Sequence, residues 1–312
     1  MKNIVYLGSD VIGLATLQWL ANGSNGNFRL MGVVSGQDQR CGRGMKLVPN
    51  EIVAWTRAQG IPLLQPQYPK KEILPWMSDL HSDMGVVFAY GHILTQELLD
   101  AIPMGFLNLH ASLLPELRGP CPIEAAIAQR KSQTGITLMQ LVKEMDAGPT
   151  YVHGIIPMDE METAPSLRKK MEKVAVMLMD RHFESILSNE EKAVKQDHSR
   201  ATYVKLLKKS DGLLDFQKPA HELEAQVRAY ITWPGSYFYK GDLAIKVGSA
   251  HWREWEADDP RTPGFVMGIR NHALEIATGD GVFCCKELQF PTKKMLAASM
   301  LAHHFPSAHG NI

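Results

Sequence analysis

An amide and an imidazole stand two positions apart in Phe106-Leu107-Asn108-Leu109-His110, an apolar run that continues into Ala111-Ser112-Leu113-Leu114-Pro115 and then Arg118-Gly119. Side chains alternate along a strand, so Asn108 and His110 project from one face. There they can hold a carbonyl oxygen and manage a proton beside it. The apolar run Ile136-Thr-Leu-Met-Gln-Leu141 then leads to Asp146 within Met145-Asp146-Ala147-Gly148. A carboxylate at that point can orient the imidazole and support its charged form. The chemistry this suits is acyl transfer with no nucleophilic serine. Each residue also has an ordinary use by itself. Asn caps strand ends, a single His is often structural, and Asp before Ala-Gly is a common turn residue.

The elements that must position these groups follow from the hydrophobic pattern. Strands are expected over residues 3–7, 30–35, 84–89, 105–110 and 136–142, and helices over 13–20, 50–59, 96–102 and 122–129. Such alternation predicts a parallel α/β sheet. Ligands in these sheets bind beyond the C-terminal strand ends, where Tyr90, His110 and Asp146 are expected. Gly8-Ser9-Asp10-Val11-Ile12-Gly13 is not a dinucleotide fingerprint, and no NAD is implied. A helix over 167–187 closes this first domain, with Arg168, Lys169 and Lys170 on a solvated face. Residues 188–200 are polar and read as a linker. From 201 the texture changes to short alternating runs separated by turn residues, the pattern of a small β-barrel. The expected division is therefore 1–187, 188–200 and 201–312.

Composition narrows the class further. The 312 residues are 45% hydrophobic and 21% charged, with a net charge of zero, which fits an ordinary two-domain globular protein. A strong nonspecific grip on nucleic acid is excluded by that balance. Residues 201–312 carry 13 Lys and Arg against 12 Asp and Glu. An RNA partner would therefore need local patches, for which Lys205, Lys208 and Lys209, with Lys293 and Lys294, are the candidates. Cys41, Cys121, Cys284 and Cys285 form no C-x-x-C pair, so neither a disulfide framework nor a metal site is indicated. The N-terminal apolar run breaks at Gly8 and reads as a first strand, not a signal peptide. No stretch reaches the roughly 20 apolar residues of a membrane span, and a cytoplasmic protein is expected.

The run Asn108-x-His110-x-Ser112-Leu113-Leu114-Pro115, then Arg118-Gly119 and the later Asp146, resembles the folate-dependent formyltransferases. Cys41-Gly-Arg-Gly-Met-Lys-Leu47, Phe88-Ala-Tyr-Gly-His-Ile-Leu94, Thr134-Gly-Ile-Thr-Leu-Met-Gln140 and Arg228-Ala-Tyr-Ile-Thr-Trp-Pro234 extend the resemblance. So do Ala277-Thr-Gly-Asp-Gly281 and Lys286-Glu-Leu-Gln-Phe-Pro-Thr-Lys-Lys294, so that it covers about the full length. The chain looks most like the branch that formylates methionyl-tRNA. The resemblance implies an N-terminal Rossmann-like formyltransferase domain with a parallel-rich sheet and a C-terminal OB-like barrel. It implies 10-formyltetrahydrofolate as cosubstrate, no metal, initiator methionyl-tRNA as acceptor, and a monomer. Asn108, His110 and Asp146 become the catalytic set, with Asn108 and His110 stabilising the oxyanion and His110 and Asp146 handling the amine proton. Ser112, Leu113, Leu114 and Pro115 would contact folate, and Tyr90, Ile93 and Leu94 would wall its ring pocket. Arg43 and Lys46 would meet the acceptor end of the tRNA, and Lys205, Lys208 and Lys209 its stem.

Some positions depart from the tRNA-enzyme pattern. Gly8-Ser9-Asp10 replaces Gly-Thr-Pro, Glu116-Leu117 replaces Arg-Trp before Arg118-Gly119, and Glu124 stands where glutamine is usual. Asp146-Ala147-Gly148-Pro149 is similar to the sugar-amine formyltransferases. None of these touches the catalytic trio, but all bear on which amine enters. A formyltransferase acting on an amino sugar or other small amine is the alternative. An inactive folate- or RNA-binding module is a third reading, and the intact trio argues against it.

Overall fold

The computed structural model of the chain describes residues 1–23, 26–41, 44–305 and 309–311. Two compact units emerge. The first comprises Met1–Pro122, Gln133–Pro157 and Arg168–Val204, and the second Ile123–Ser132, Met158–Leu167 and Lys205–Ile312.

Along the first part of the chain lie β1 (Lys2–Leu7), α1 (Leu14–Asn22), β2 (Phe28–Val34), β3 (Gln39–Cys41), β4 (Lys46–Val48), α2 (Glu51–Ala58), β5 (Leu63–Leu64) and α3 (Pro69–Asp79). After them come β6 (Met84–Val87), α4 (Gln96–Ala101), β7 (Phe106–His110), α5 (Pro122–Ala128), β8 (Gln133–Gln140), β9 (Thr150–Pro157) and α6 (Ala164–Leu187). The main sheet runs β5-β2-β1-β6-β7-β8-β9. Its first five strands pair in parallel, whereas β7–β8 and β8–β9 pair antiparallel. The chain winds outward from β1 in both directions, which puts a switch point between β1 and β6. Val5, Leu7, Val34, Val87, Tyr90 and Phe106 are buried together there with Ile73 and Met77 of α3.

Two sequence expectations are corrected in this unit. Hydrophobic period reports burial and not direction, so the antiparallel sense of β8 and the strand β9 were not foreseen. As a result Asp146 does not follow a parallel strand's C-terminal end. The Leu141 N–H donates to the Phe106 carbonyl, at the start of β7, and the loop 141–149 has to fold back to bring Asp146 to His110. In the motif over 41–47, β3 and β4 pair antiparallel, with Cys41 opposite Lys46. Arg43 itself lies outside the described residues.

The polar stretch after α6 is not free chain. Thr150 and Val194 exchange backbone hydrogen bonds, and Gln196 is buried within the first unit. Arg168, expected on a solvated face, pairs with Asp10 at 3.0 Å.

The second unit contains α7 (Ala220–Tyr230), β10 (Ser236–Lys240), β11 (Leu243–Arg253), β12 (Phe265–Arg270), β13 (Ala273–Ala277), β14 (Val282–Gln289), β15 (Leu296–Ala297) and β16 (His309–Asn311). Its strands pair antiparallel throughout, in the order β10-β11-β14-β13-β12-β16 with β15 beside β14. Phe238, Ile245, Ile276, Phe283 and Leu288 form its core with Leu223 and Val227 of α7. The short-stranded antiparallel texture expected from the sequence is realised here.

Candidate active site

β7 carries the site because every residue of it is buried: Phe106, Leu107 and Leu109 fill the core, while Asn108 and His110 share one face. Asn108 is 8% exposed and His110 6%. The Asn108 side-chain amide has no hydrogen-bond partner among the described residues, so its donors are open to a ligand.

Each ring nitrogen of His110 has a polar neighbour. Nε2 lies 3.1 Å from the Leu117 carbonyl. A carbonyl can only accept, so Nε2 carries the hydrogen and the neutral ring has its lone pair on Nδ1. Nδ1 faces Asp146 Oδ2 at 3.6 Å. That is an electrostatic contact too long for a hydrogen bond. With Nε2–H committed to Leu117, His110 is better built to accept a proton at Nδ1 than to donate to an oxyanion. A carboxylate at that distance can support an imidazolium.

The loop after β7 builds the other half of the site. Ser112 Oγ donates to the Glu116 carbonyl at 2.6 Å, and the Leu114–Pro115 peptide is cis. Thr137 of β8 donates to the Ser112 carbonyl at 2.6 Å and accepts from the Leu114 N–H at 3.1 Å, fixing the turn from beneath. Ser112 and Leu114 are buried, and Leu113 and Pro115 are half-buried. Gly119 donates its N–H to Asp146 Oδ2 at 2.7 Å. It sits at φ +115° with the Val204 carbonyl 2.3 Å from where a Cβ would be, so no other residue fits without displacing backbone. Gly148 is equally confined, with the Gln140 carbonyl 1.9 Å from a Cβ position.

At the switch point, Ser9 joins three strand ends. Its hydroxyl donates to the Tyr90 carbonyl at 3.2 Å and accepts from the Gly36 N–H at 2.9 Å. The segment after β6 turns through positive φ at Ala89 and Gly91. Tyr90 is buried in the core, its hydroxyl has no partner among the described residues, and burial with the Glu72 charge pushes its pKa to about 12. Leu94 is half-buried against the same core, while Ile93 is 74% exposed. Lys46 on β4 is exposed, beside exposed Met45, Leu47 and Val48. Lys205, Lys208 and Lys209 are exposed in the second unit. Among the described residues, no group of three or more His, Cys, Asp and Glu side chains is placed to hold a metal ion. No described helix is long and apolar enough to cross a membrane.

Of the sequence candidates Asn108, His110 and Asp146, the structure brings His110 and Asp146 to within 3.6 Å of each other. Sequence reasoning missed Leu117, whose carbonyl sets the His110 tautomer, as well as Ser9, Thr137 and Gln196. A backbone carbonyl leaves no side-chain signal. The other three are common polar residues whose partners lie far away in sequence.

A doubly wound sheet carrying an amide, an imidazole and a carboxylate on this face and loop suits acyl-transfer chemistry. The chain belongs to the formyl transferase family, whose model matches residues 2–182 and whose C-terminal domain model matches residues 206–306. The methionyl-tRNA formyltransferase of Thermotoga maritima is 33% identical over 294 residues, covering 94% of this chain and 92% of that protein. Two solved structures share the fold at lower identity. WlaRD, a sugar 3N-formyl transferase solved in the presence of dTDP and 5-N-formyl-THF, gives a TM-score of 0.65 at 16% identity, over 94% of this chain and 99% of that one. HypX from Aquifex aeolicus in complex with tetrahydrofolic acid gives 0.61 at 15% identity over 96% of this chain, which spans 46% of HypX.

Proposed function

We propose that the protein transfers a formyl group from 10-formyltetrahydrofolate to the amino group of initiator methionyl-tRNA. The observation that carries this reading is the match to a methionyl-tRNA formyltransferase at 33% identity through both units, not through the catalytic unit alone. The formyl donor supplies an electrophilic carbon on nitrogen. The side chains do the rest. The open Asn108 amide donates to the formyl oxygen as the amine attacks and the oxygen gains charge. His110 Nδ1 accepts the proton leaving the amine, and Asp146 stabilises the resulting imidazolium. The carbon–nitrogen bond to the folate then breaks, and the departing nitrogen takes up a proton. One amide forms, one is cleaved, and the enzyme returns to its starting protonation.

Folate is assigned to the Ser112–Pro115 turn and the segment from Tyr90 to Leu94. Ser112, Leu113, Leu114 and Pro115 offer backbone and apolar contacts, and Ile93 and Leu94 offer apolar surface to a flat ring. Lys46, with Arg43, is assigned to the tRNA acceptor end, and Lys205, Lys208 and Lys209 to the stem. The division into a catalytic part over 1–187, a connector over 188–200 and a tRNA-binding part from 201 onward belongs to the same proposal.

The test offers purified protein and 10-formyltetrahydrofolate to charged initiator tRNA and, separately, to a panel of nucleotide-linked amino sugars. Formylated methionyl-tRNA with no sugar product is the expected result. Preferential formylation of a sugar would overturn the acceptor assignment and leave the family intact.

A further inference from the structure

We infer that Gln196, in the polar stretch after α6, is a positioning residue that sets the Asp146 carboxylate against His110, with Arg118 as its anchor. The inference rests on the proposed reaction and names the support of its carboxylate. Asp146 lies on the 141–149 loop, whose base is at the far end of β7, and it adopts φ +49°, which an L-residue rarely does. Something must hold it there. Gln196, 8% exposed, donates through Nε2 to the Asp146 carbonyl at 2.9 Å and to the Gly148 carbonyl at 2.6 Å. One amide therefore clamps the loop on both sides of the Asp146–Ala147 bond.

The other end of Gln196 explains why the clamp is fixed. Its Oε1 accepts from Arg118 Nη2 at 2.6 Å. Arg118 is 1% exposed, and its other side-chain hydrogen bonds go to the Tyr203 hydroxyl at 3.0 Å and His198 Nδ1 at 3.1 Å, while its Nε has none. Among the described residues no carboxylate meets this guanidinium, so a buried cation is held by neutral acceptors, an expensive arrangement unless it serves a purpose. The backbone on either side of Arg118 shows the purpose. The Leu117 carbonyl fixes His110, and the Gly119 N–H fixes the Asp146 carboxylate. Arg118 thus sits between the two contacts and reaches through Gln196 to the Asp146 backbone as well.

Two substitutions separate positioning from folding. Gln196→Leu removes both ends of the clamp. Gln196→Glu keeps an acceptor for Arg118, and adds the missing counter-charge, but turns an oxygen toward the two carbonyls where the Nε2 donor stood. The full chain should therefore melt no lower with Glu than with the native residue. For both variants kcat for methionyl-tRNA formylation should fall at least tenfold, with KM for the folate donor within twofold. The His110 ring signals in 1H–15N spectra should move in the direction produced by Asp146→Asn. Adding Gln196→Leu to Asp146→Asn should cost no further activity, because Gln196 acts through Asp146. Unchanged kcat with unmoved His110 signals in a folded Gln196→Glu protein would overturn the inference, as would additive losses in the double variant. If the native protein formylates no acceptor at all, the functional reading fails alone, and the His110 signals still decide the positioning role.

Discussion

Replacing Asp146 with Asn should slow formyl transfer strongly while leaving the fold in place. The asparagine oxygen can still accept the Gly119 N–H, so the 2.7 Å contact that anchors the side chain survives. What disappears is the negative charge 3.6 Å from His110 Nδ1. Both side chains are largely shielded from solvent, at 7% and 14% exposure, so salt screens the pair little. At 3.6 Å and an effective dielectric of about 20, opposite unit charges attract by about 4.6 kcal/mol. Proton transfer is partial at the transition state, so half to all of that figure applies, a loss of roughly fifty-fold to two-thousand-fold in rate. The assay is single-turnover rapid quench at saturating donor and acceptor, which isolates the chemical step from product release. A folded Asp146→Asn protein that retains a fifth or more of the native rate would show that no imidazolium forms beside this carboxylate.

Arg253 binds two nearly buried carboxylates, Asp259 and Glu275, at 2.6 Å each. Arg253→Ala should lower stability by about 3–5 kcal/mol in urea denaturation, and adding Asp259→Asn and Glu275→Gln should recover part of the loss. His251 has its pKa pushed below 6.5, chiefly by burial and then by Lys286, so the folded state resists its protonation. The unfolded chain binds that proton first as pH falls, so stability is full above about pH 6.5 and declines from there toward the lowered native value. His251→Gln should flatten that decline in melting temperature, and an identical pH profile would refute the assignment. Replacing Lys205, Lys208 and Lys209 together with Ala should reduce the slope of log affinity for tRNA against log salt by about two to three, with folate affinity unchanged in calorimetry. An unaltered slope would remove these lysines from the interface.

The strand bearing Asn108 and His110 was legible because alternation and burial coincide over five residues. The parallel part of the sheet was legible in the alternating strand and helix patterns, whereas its strand order was not. Two things were hidden. Periodicity does not encode strand direction, so β8 read as one more parallel strand, β9 went unforeseen, and Asp146 reaches the expected place beside His110 only because the 141–149 loop folds back. Gln196 was hidden because a polar stretch without period looks like connector. Its burial depends on Arg118, 78 positions away, needing an acceptor. The surroundings of His110 were half legible. Its residue type and place indicated a proton carrier, but the nitrogen that carries the hydrogen is set by a backbone carbonyl at Leu117, which no side-chain pattern records.

The proposed reaction puts formyl transfer to an amine on the face of β7 and the Asp146 loop. The most direct measurement follows an isotopically labelled formyl group from 10-formyltetrahydrofolate to methionyl-tRNA under single-turnover conditions, with the native chain and with His110→Ala side by side. Label should reach the methionine amine at a rate that falls at least about a hundredfold in the variant, which has lost its general base, while folate affinity is retained. Equal rates for the two proteins, or label that never reaches the amine with the native chain, would contradict the proposal.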